Sequence, residues 1–137
     1  MEPAAFHTGE IALQREAGVD ARMAAIGPLV MRDHMPQQHR DFFEQLPFLL
    51  AGALDAEGQP WASVLAGPPG FIRSPNEQAL VVQAVPSPQD PLHGALAPGA
   101  PVGLLGIEPH TRRRNRMNGV VTERGAAGFS VAVSQSF

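Results

Sequence analysis

This sequence of 137 residues contains no cysteine and no lysine. Without cysteine, these residues cannot form disulfides, thiolate nucleophiles or cysteine-ligated zinc or iron–sulfur sites. Without lysine, they cannot form a Schiff base through a lysine side chain. All ten basic residues are therefore arginines, and this bias, together with many alanines, is typical of a GC-rich bacterial genome.

Long apolar runs and a strong excess of one charge are also absent. No apolar run approaches the roughly 20 residues that a membrane span requires. The N-terminus shows no basic segment followed by an apolar stretch, so no signal peptide is visible. The net charge of −3 argues against nucleic acid or an anionic membrane as a general partner. We therefore expect a protein of the cytoplasm.

Charged residues make up only 17% of the sequence, whereas hydrophobic residues make up 44%, which is enough to bury one core. The length suits one domain and is short for two. We expect a helical segment over residues 1–47 and a strand-rich part over residues 48–137. The last predicted strand ends close to Phe137, so either a complete domain or a fragment of a longer chain fits.

Apolar periodicity and turn residues predict helices over residues 8–18, over residues 20–26 with an end at Gly27-Pro28, and from Pro36 to Pro47. Strands are predicted over residues 48–54, 61–66, 78–85, 102–107, 116–122 and 129–133. A turn at residues 74–76 precedes the third strand, and the proline-rich loop at residues 86–101 leaves room for one helical turn near its middle. Short helices followed by about six strands predict a mainly β protein with an antiparallel barrel.

Arginines are concentrated just before and within the fifth predicted strand. If this segment is extended, its alternate residues share one face, which would carry Arg112, Arg114, Arg116 and Asn118. Several guanidinium groups on one face are favourable opposite a negative group, and a phosphate accepts their forked donors bidentately. Alternatively, these arginines project into solvent or pair with acidic residues. Nucleic acid fits poorly, because the run is short and no aromatic residues alternate with it.

The second predicted strand contains one polar residue, Ser63, on the face that it shares with Trp61 and Leu65. Its hydroxyl could donate to a ligand phosphate, or to a backbone carbonyl within the fold. The five histidines are scattered, and His34 and His39 have poor spacing for two ligands on one helical face. We therefore predict no metal site.

Four segments together resemble the pyridoxamine 5′-phosphate oxidase-like family of flavin-nucleotide-binding proteins. They are Phe-His-Thr-Gly-Glu at residues 6–10, Pro-Trp-Ala-Ser-Val-Leu-Ala-Gly-Pro-Pro-Gly-Phe at 60–71, Val-Gly-Leu-Leu-Gly-Ile-Glu at 102–108 and Thr-Arg-Arg-Arg-Asn-Arg-Met-Asn-Gly at 111–119. The subgroup that this pattern resembles most is the bacterial split-barrel domain that precedes ferredoxin-reductase-like and iron–sulfur modules in larger oxidoreductases.

The resemblance implies a six-stranded antiparallel split β-barrel, a homodimer, and FMN bound where the two subunits meet. It also implies that hydroxyls and basic residues hold the phosphate, which makes the predicted cofactor-binding residues Ser63, Arg112, Arg114, Arg116 and Asn118. Reductase or iron–sulfur modules would follow in a longer chain. The leading hypothesis is an FMN-binding domain that handles electrons or hydride for a redox protein.

The sequence departs from the family where pyridoxamine-phosphate oxidases carry further basic residues. Trp61 and Ala66 stand at two such positions, and residues 86–90, which match a phosphate-binding loop, contain no basic residue. Oxidation of vitamin B6 is therefore not expected, and no catalytic acid or base is assigned. The alternative hypothesis is a non-catalytic dimerisation or docking module whose flavin site has degenerated.

Overall fold

The structure is a computed structural model that describes residues 5–137. Its helices are α1 (Thr8–Glu16), α2 (Asp20–Val30), α3 (Gln37–Glu44) and α4 (Leu92–Ala95). Its strands are β1 (Phe48–Leu54), β2 (Pro60–Ala66), β3 (Ile72–Asn76), β4 (Ala79–Val82), β5 (Pro101–Glu108), β6 (Arg113–Arg124) and β7 (Phe129–Ser136). The described chain divides into two compact units. Residues 33–136 form the larger unit, and the described residues before Asp33 form the smaller one together with Phe137.

The smaller unit contains α1 and α2. His7 caps α1, because its Nδ1 accepts from the backbone N–H of Gly9 and Glu10, while the Glu10 carboxylate accepts from the His7 N–H. The predicted end of α2 at Gly27-Pro28 was wrong, since the helix continues to Val30. Proline removes only its own N–H, and the Met31 N–H still donates to the Gly27 carbonyl at 2.9 Å.

The larger unit is built on one antiparallel sheet with the strand order β2-β1-β5-β6-β7-β4-β3. The prediction of a mainly β, antiparallel architecture is confirmed, but the count of six strands was wrong, because the sheet has seven. The additional strand is β3, whose Pro75 lies in the segment predicted as a turn. On an edge strand the missing proline N–H can face away from the ladder, so proline is tolerated there.

The sheet is not closed by hydrogen bonds, yet it must curl. Its two edge strands, β2 and β3, are joined by residues 67–71 alone. Seven strands laid flat span about 29 Å, because neighbouring strands lie about 4.8 Å apart. The link from Ala66 to Ile72 reaches about 20 to 22 Å when fully extended. The connection is therefore too short for a flat sheet, and the strands form a partly closed barrel.

The inner face of this barrel holds the core, and α3 covers part of it. Phe42, Phe43 and Leu46 are buried, which confirms the apolar stripe predicted for this helix. They pack where β5 has Gly106, since a Cβ there would lie 2.7 Å from Leu46 Cδ1. The predicted helical turn in the proline-rich loop is confirmed as α4, and it contacts β1 and β2.

Candidate functional site

The arginine-rich segment lies partly in a turn and partly in β6. Arg112 is in the turn before β6 with a φ of 59°, so it does not share the strand's alternation. From Arg114 onward the alternation follows the prediction, because Arg114, Arg116 and Asn118 point outward while Met117 is buried. The structure therefore brings three of the four predicted residues of this segment onto one face.

The outward face of β6 continues across three neighbouring strands. In the paired strands Arg116 lies opposite Leu105, Leu105 opposite Leu50, and Leu50 opposite Val64. Directly paired residues project to the same side of a sheet. We call this surface of β2, β1, β5 and β6 the outer face. It is largely apolar, and Arg114 and Arg116 lie at its β6 side.

The next row across the outer face is made of small residues. Asn118 lies opposite Gly103, Gly103 opposite Gly52, and Gly52 opposite Ala62. Without side chains on the two glycines, the outer face has an open groove of about 510 Å³. Leu54, Pro60 and Val120 line one side of this groove, while Asn118 and Ser134 line its β6–β7 end. The groove therefore has an apolar body and a polar end.

The polar end is shaped by an irregularity between β6 and β7. Asn118 pairs with Gln135, but the next residue, Gly119, pairs with Val133, which leaves Ser134 as an extra residue. Such bulges redirect side chains, and here both Ser134 and Gln135 are exposed. The Asn118 amide nitrogen donates to the Gln135 side-chain oxygen at 3.2 Å, and the Ser134 hydroxyl donates to the Asn118 carbonyl at 3.0 Å.

Ser63 lies on the other side of the sheet. It is opposite Ala51, which is opposite Leu104, and both of these residues are buried in the core. Its hydroxyl donates to the Asp90 carboxylate. The structure therefore does not bring Ser63 together with Arg114, Arg116 and Asn118 within one chain.

Asp90 is a residue whose role the sequence did not indicate. One of its carboxylate oxygens accepts from Ser63, and the other accepts from the Leu92 N–H at 2.8 Å. The carboxylate therefore joins β2 to the start of α4. The available signal was an aspartate two residues before a helical turn, a position at which its side chain commonly accepts from the backbone.

Arg124 binds the backbone of the same loop at α4. Its guanidinium donates to the carbonyl of His93 at 2.7 Å and to that of Leu96 at 3.0 Å. The His93 ring contacts the Pro86 carbonyl at 2.8 Å. These bonds involve only protein groups, so Arg124 stabilises the loop that positions Asp90.

The turn between β5 and β6 places a carboxylate beside the arginine segment. Thr111 and Gln45 donate to the Glu108 carboxylate at 2.7 and 2.8 Å. The hydroxyl of Thr111 is the largest cause of a lowered Glu108 pKa, and the positive charge of Arg113 contributes to it. The Arg113 guanidinium also lies 4.7 Å from the centre of the Phe42 ring. Arg113 is thus held by core and turn contacts.

The two regions differ in their fit to a flavin phosphate. Beside Ser63, a phosphate would meet the Asp90 carboxylate, and the Ser63 hydroxyl already donates its proton there. That position therefore does not suit an anion. On the outer face, Arg114 and Arg116 carry exposed guanidinium groups beside the groove, so this part of the face suits an anion better.

Over residues 5–137, no group of three or more histidine, aspartate or glutamate side chains is arranged to hold a metal ion. In the same part of the chain, no helix is long and apolar enough to cross a membrane.

No protein-family model matches the sequence, and no curated protein matches it. The chain is similar to a solved structure from Lactobacillus delbrueckii, described as a "putative pyridoxamine 5′-phosphate oxidase", with a TM-score of 0.59 and 12% identity over 77% of this chain and 95% of that one. It is also similar to HupZ from Group A Streptococcus, with a TM-score of 0.58 and 13% identity over 75% of this chain and 92% of that one. At such identities the likeness shows the fold, and the chain has the split-barrel fold of the pyridoxamine 5′-phosphate oxidase-like proteins.

Proposed function

We propose that this chain is an FMN-binding domain of a redox protein, with its flavin site in the groove of the outer face. The observation that carries the proposal is the combination of an apolar groove with arginines on the same face. A volume of about 510 Å³ is within the range of small-molecule sites. Such sites are mostly apolar and use a few polar groups to orient the ligand.

The floor of the groove suits a flat ring. Gly52 and Gly103 are paired neighbours on β1 and β5, so backbone rather than side chains forms the surface there. A Cβ at Gly52 would come no closer than 3.7 Å to its nearest neighbour, so the missing side chain is not explained by crowding inside the fold. A ring that lies on this floor would contact Leu54 and Val120 at its side.

Arg114 and Arg116 supply the phosphate-binding groups of the proposed site. Both are exposed, and both project from the outer face of β6. A guanidinium remains charged under all physiological conditions and offers two parallel donors to a phosphate. Asn118 is the next outward residue along β6, at the end of the groove. Arg112, in the preceding turn, is part of the proposal only as a nearby positive charge.

A second copy of the chain would complete the site. Leu54 and Val64 are 59% and 62% exposed on the outer face, and Val120 is 40% exposed. A contiguous apolar surface of this kind favours association, because its burial is worth roughly 25 cal/mol per Å². A homodimer through this face would exclude water from the groove and leave Arg114 and Arg116 at its margin.

A bound flavin would supply electron or hydride transfer, and the residues of this chain would bind it, orient it and exclude water. No side chain on the outer face is assigned as an acid or a base. The proposal therefore concerns a binding domain and does not include pyridoxamine-phosphate oxidation.

Titration with FMN and with riboflavin, followed by the quenching of flavin fluorescence, tests the proposal. We expect FMN to bind at micromolar concentrations, and Arg114→Ala or Arg116→Ala to weaken FMN about tenfold, since each removes a charged hydrogen bond. Riboflavin, which lacks the phosphate, should bind the variants and the wild type equally. Arg73→Ala, on the exposed side of β3, is the matched control. Absence of FMN binding would contradict the proposal.

A dimerisation or docking module with a degenerate flavin site is the second candidate, and the contact between Ser63 and Asp90 favours it. The carboxylate fills a position where the family resemblance implies a phosphate site. This candidate predicts a stable dimer with no FMN-dependent rise in melting temperature. A rise that disappears in Arg116→Ala would contradict it.

A further inference from the structure

The polar end of the groove consists of two carboxamide side chains in contact. The Asn118 amide nitrogen donates one hydrogen to the Gln135 oxygen at 3.2 Å. A carboxamide has two N–H donors and one oxygen acceptor. Within the described residues, the Asn118 side-chain oxygen and the Gln135 side-chain nitrogen form no other hydrogen bond. The hydrogen-bonded pair therefore has one uncommitted acceptor, the Asn118 oxygen, and one uncommitted donor, the Gln135 nitrogen.

The position of this pair is set by the backbone. Asn118 ends the row of Ala62, Gly52 and Gly103, which crosses four neighbouring strands and spans about 14 Å at 4.8 Å per strand. The Asn118 side-chain oxygen is the nearest atom, at 3.4 Å, to the position that a Cβ of Gly103 would occupy. It therefore lies directly at the end of the glycine floor.

We infer that Asn118 and Gln135 recognise the imide edge of a flat heterocycle in the groove, an N–H between two carbonyls. The Asn118 oxygen accepts from the imide N–H, and the Gln135 nitrogen donates to an adjacent carbonyl. This inference rests on the proposed function, because the flavin ring carries such an edge. It adds a class of ligand, namely rings with a free imide, and an orientation in which the imide points toward β7.

The bulge at Ser134 is what makes the arrangement available. Without the extra residue, strict alternation would turn Gln135 to the other face of β7 from Ser134. With it, Ser134 and Gln135 are both exposed beside Asn118. The Ser134 hydroxyl donates to the Asn118 backbone carbonyl, which holds the bulge against β6.

Lumiflavin and 3-methyllumiflavin test the inference on the wild-type protein. Both lack the phosphate chain, so the arginines do not contribute, and they differ only in that the imide nitrogen carries a hydrogen in lumiflavin and a methyl group in 3-methyllumiflavin. We expect lumiflavin to bind about tenfold more tightly, since the methylated ring leaves the Asn118 oxygen without its donor. Asn118→Ala and Gln135→Ala should each reduce this preference, while Gln78→Ala, which removes an exposed amide in the turn between β3 and β4, should leave it unchanged.

The outcomes separate this inference from the proposed function. Equal binding of the two rings by the wild type would overturn imide recognition and leave flavin binding intact. A preference that persists in both Asn118→Ala and Gln135→Ala would also overturn it. Failure of FMN and of both lumiflavins to bind would overturn the proposed function and the inference together. The comparison of the two rings needs no variant, so it holds even if a substitution impairs folding.

Discussion

The two faces of the strands β1 and β5 have opposite environments. On the inner face, Leu104 is 2% exposed and Ala51 is 1% exposed, while on the outer face Leu54 is 59% exposed. Both faces are nonetheless apolar, so hydrophobicity alone does not distinguish them. On the inner face, α3, α4 and the neighbouring strands bury the apolar side chains. On the outer face, by contrast, Leu54 and Val64 are exposed within the described residues, so the sequence also places apolar residues outside its own core.

The glycines show the same contrast along a single strand. Gly106 faces inward, where a Cβ would lie within about 3 Å of three side chains of α3 and the segment that follows it. Gly103 faces outward, where a Cβ would meet only the Asn118 side-chain oxygen, at 3.4 Å. One glycine is needed for packing, and the other leaves a space.

Two adjacent leucines of β5, Leu104 on the inner face and Leu105 on the outer face, should give the largest difference between the two faces. We expect Leu104→Ala to lower the free energy of unfolding by about 2 to 5 kcal/mol, because it leaves a cavity in a close-packed core. Leu105→Ala should lower it by at most about 1 kcal/mol in the monomer, since its side chain is half-buried. Urea denaturation followed by far-ultraviolet circular dichroism measures both.

Leu105→Ala should affect self-association more than Leu104→Ala does, which is the reverse of their effects on the free energy of unfolding. Sedimentation velocity should show that Leu105→Ala weakens the dimer about tenfold, while the fraction of Leu104→Ala that remains folded associates as the wild type does. Similar losses of stability in the two variants, with no change in association, would show that the outer face is not an interface.

Substitution of Gly106 and of Gly103 should also affect the two faces differently, with smaller changes in stability. Gly106→Ala should cost about 1 to 3 kcal/mol, because the added methyl overlaps Leu46 and the phenylalanines of α3. Gly103→Ala should leave the melting temperature nearly unchanged and weaken FMN binding, since its methyl would enter the groove. Thermal unfolding with and without FMN measures both effects. If Gly103→Ala binds FMN as tightly as the wild type does, FMN does not bind in this groove.

Much of the fold could be predicted from the sequence, because the relevant signals are local. Alternation around Met117 correctly assigned which side of β6 is buried, while α3 was predicted correctly as a helix but ends at Glu44, three residues before the predicted end at Pro47. The exceptions have physical reasons. Pro75 was taken as a turn residue, but an edge strand tolerates proline, and Pro28 was taken as a helix end, although it removes only one N–H.

The candidate site could be predicted only in part, because it depends on pairing between strands that are distant in sequence. The outward arginines follow from alternation within β6. The groove requires Gly52 and Gly103 to be neighbours, which is set by the register of β1 against β5. The contact of Ser63 with Asp90 joins residues 27 positions apart. The predicted role of Ser63 in cofactor binding stays a prediction, and the local signal at Asp90, an aspartate just before a helical turn, does not identify Ser63 as its second partner.

The smallest expected effect concerns Trp61, where the inner face reaches solvent at the edge of β2. Its ring N–H donates to the Asp55 carboxylate at 2.8 Å, and the backbone N–H groups of Glu57 and Gln59 donate to the same side chain. The hydrogen bond from Trp61 is the largest cause of a lowered Asp55 pKa. A carboxyl with a lowered pKa in the folded state stabilises the protein above its unfolded value of about 3.9, and this contribution is lost as the pH falls through the folded value.

We therefore expect the free energy of unfolding to fall less steeply below about pH 4 in Asp55→Asn than in the wild type, because the variant has no carboxylate to protonate. Urea denaturation at a series of pH values, followed by the fluorescence of the single tryptophan, measures this. Asp41→Asn, in α3, is the control for loss of one carboxylate. Equal slopes for Asp55→Asn and the wild type would show that the hydrogen bonds accepted by Asp55 contribute no pH-dependent stability. In that case contacts other than its hydrogen bond to Asp55 would fix Trp61 at this edge of the inner face.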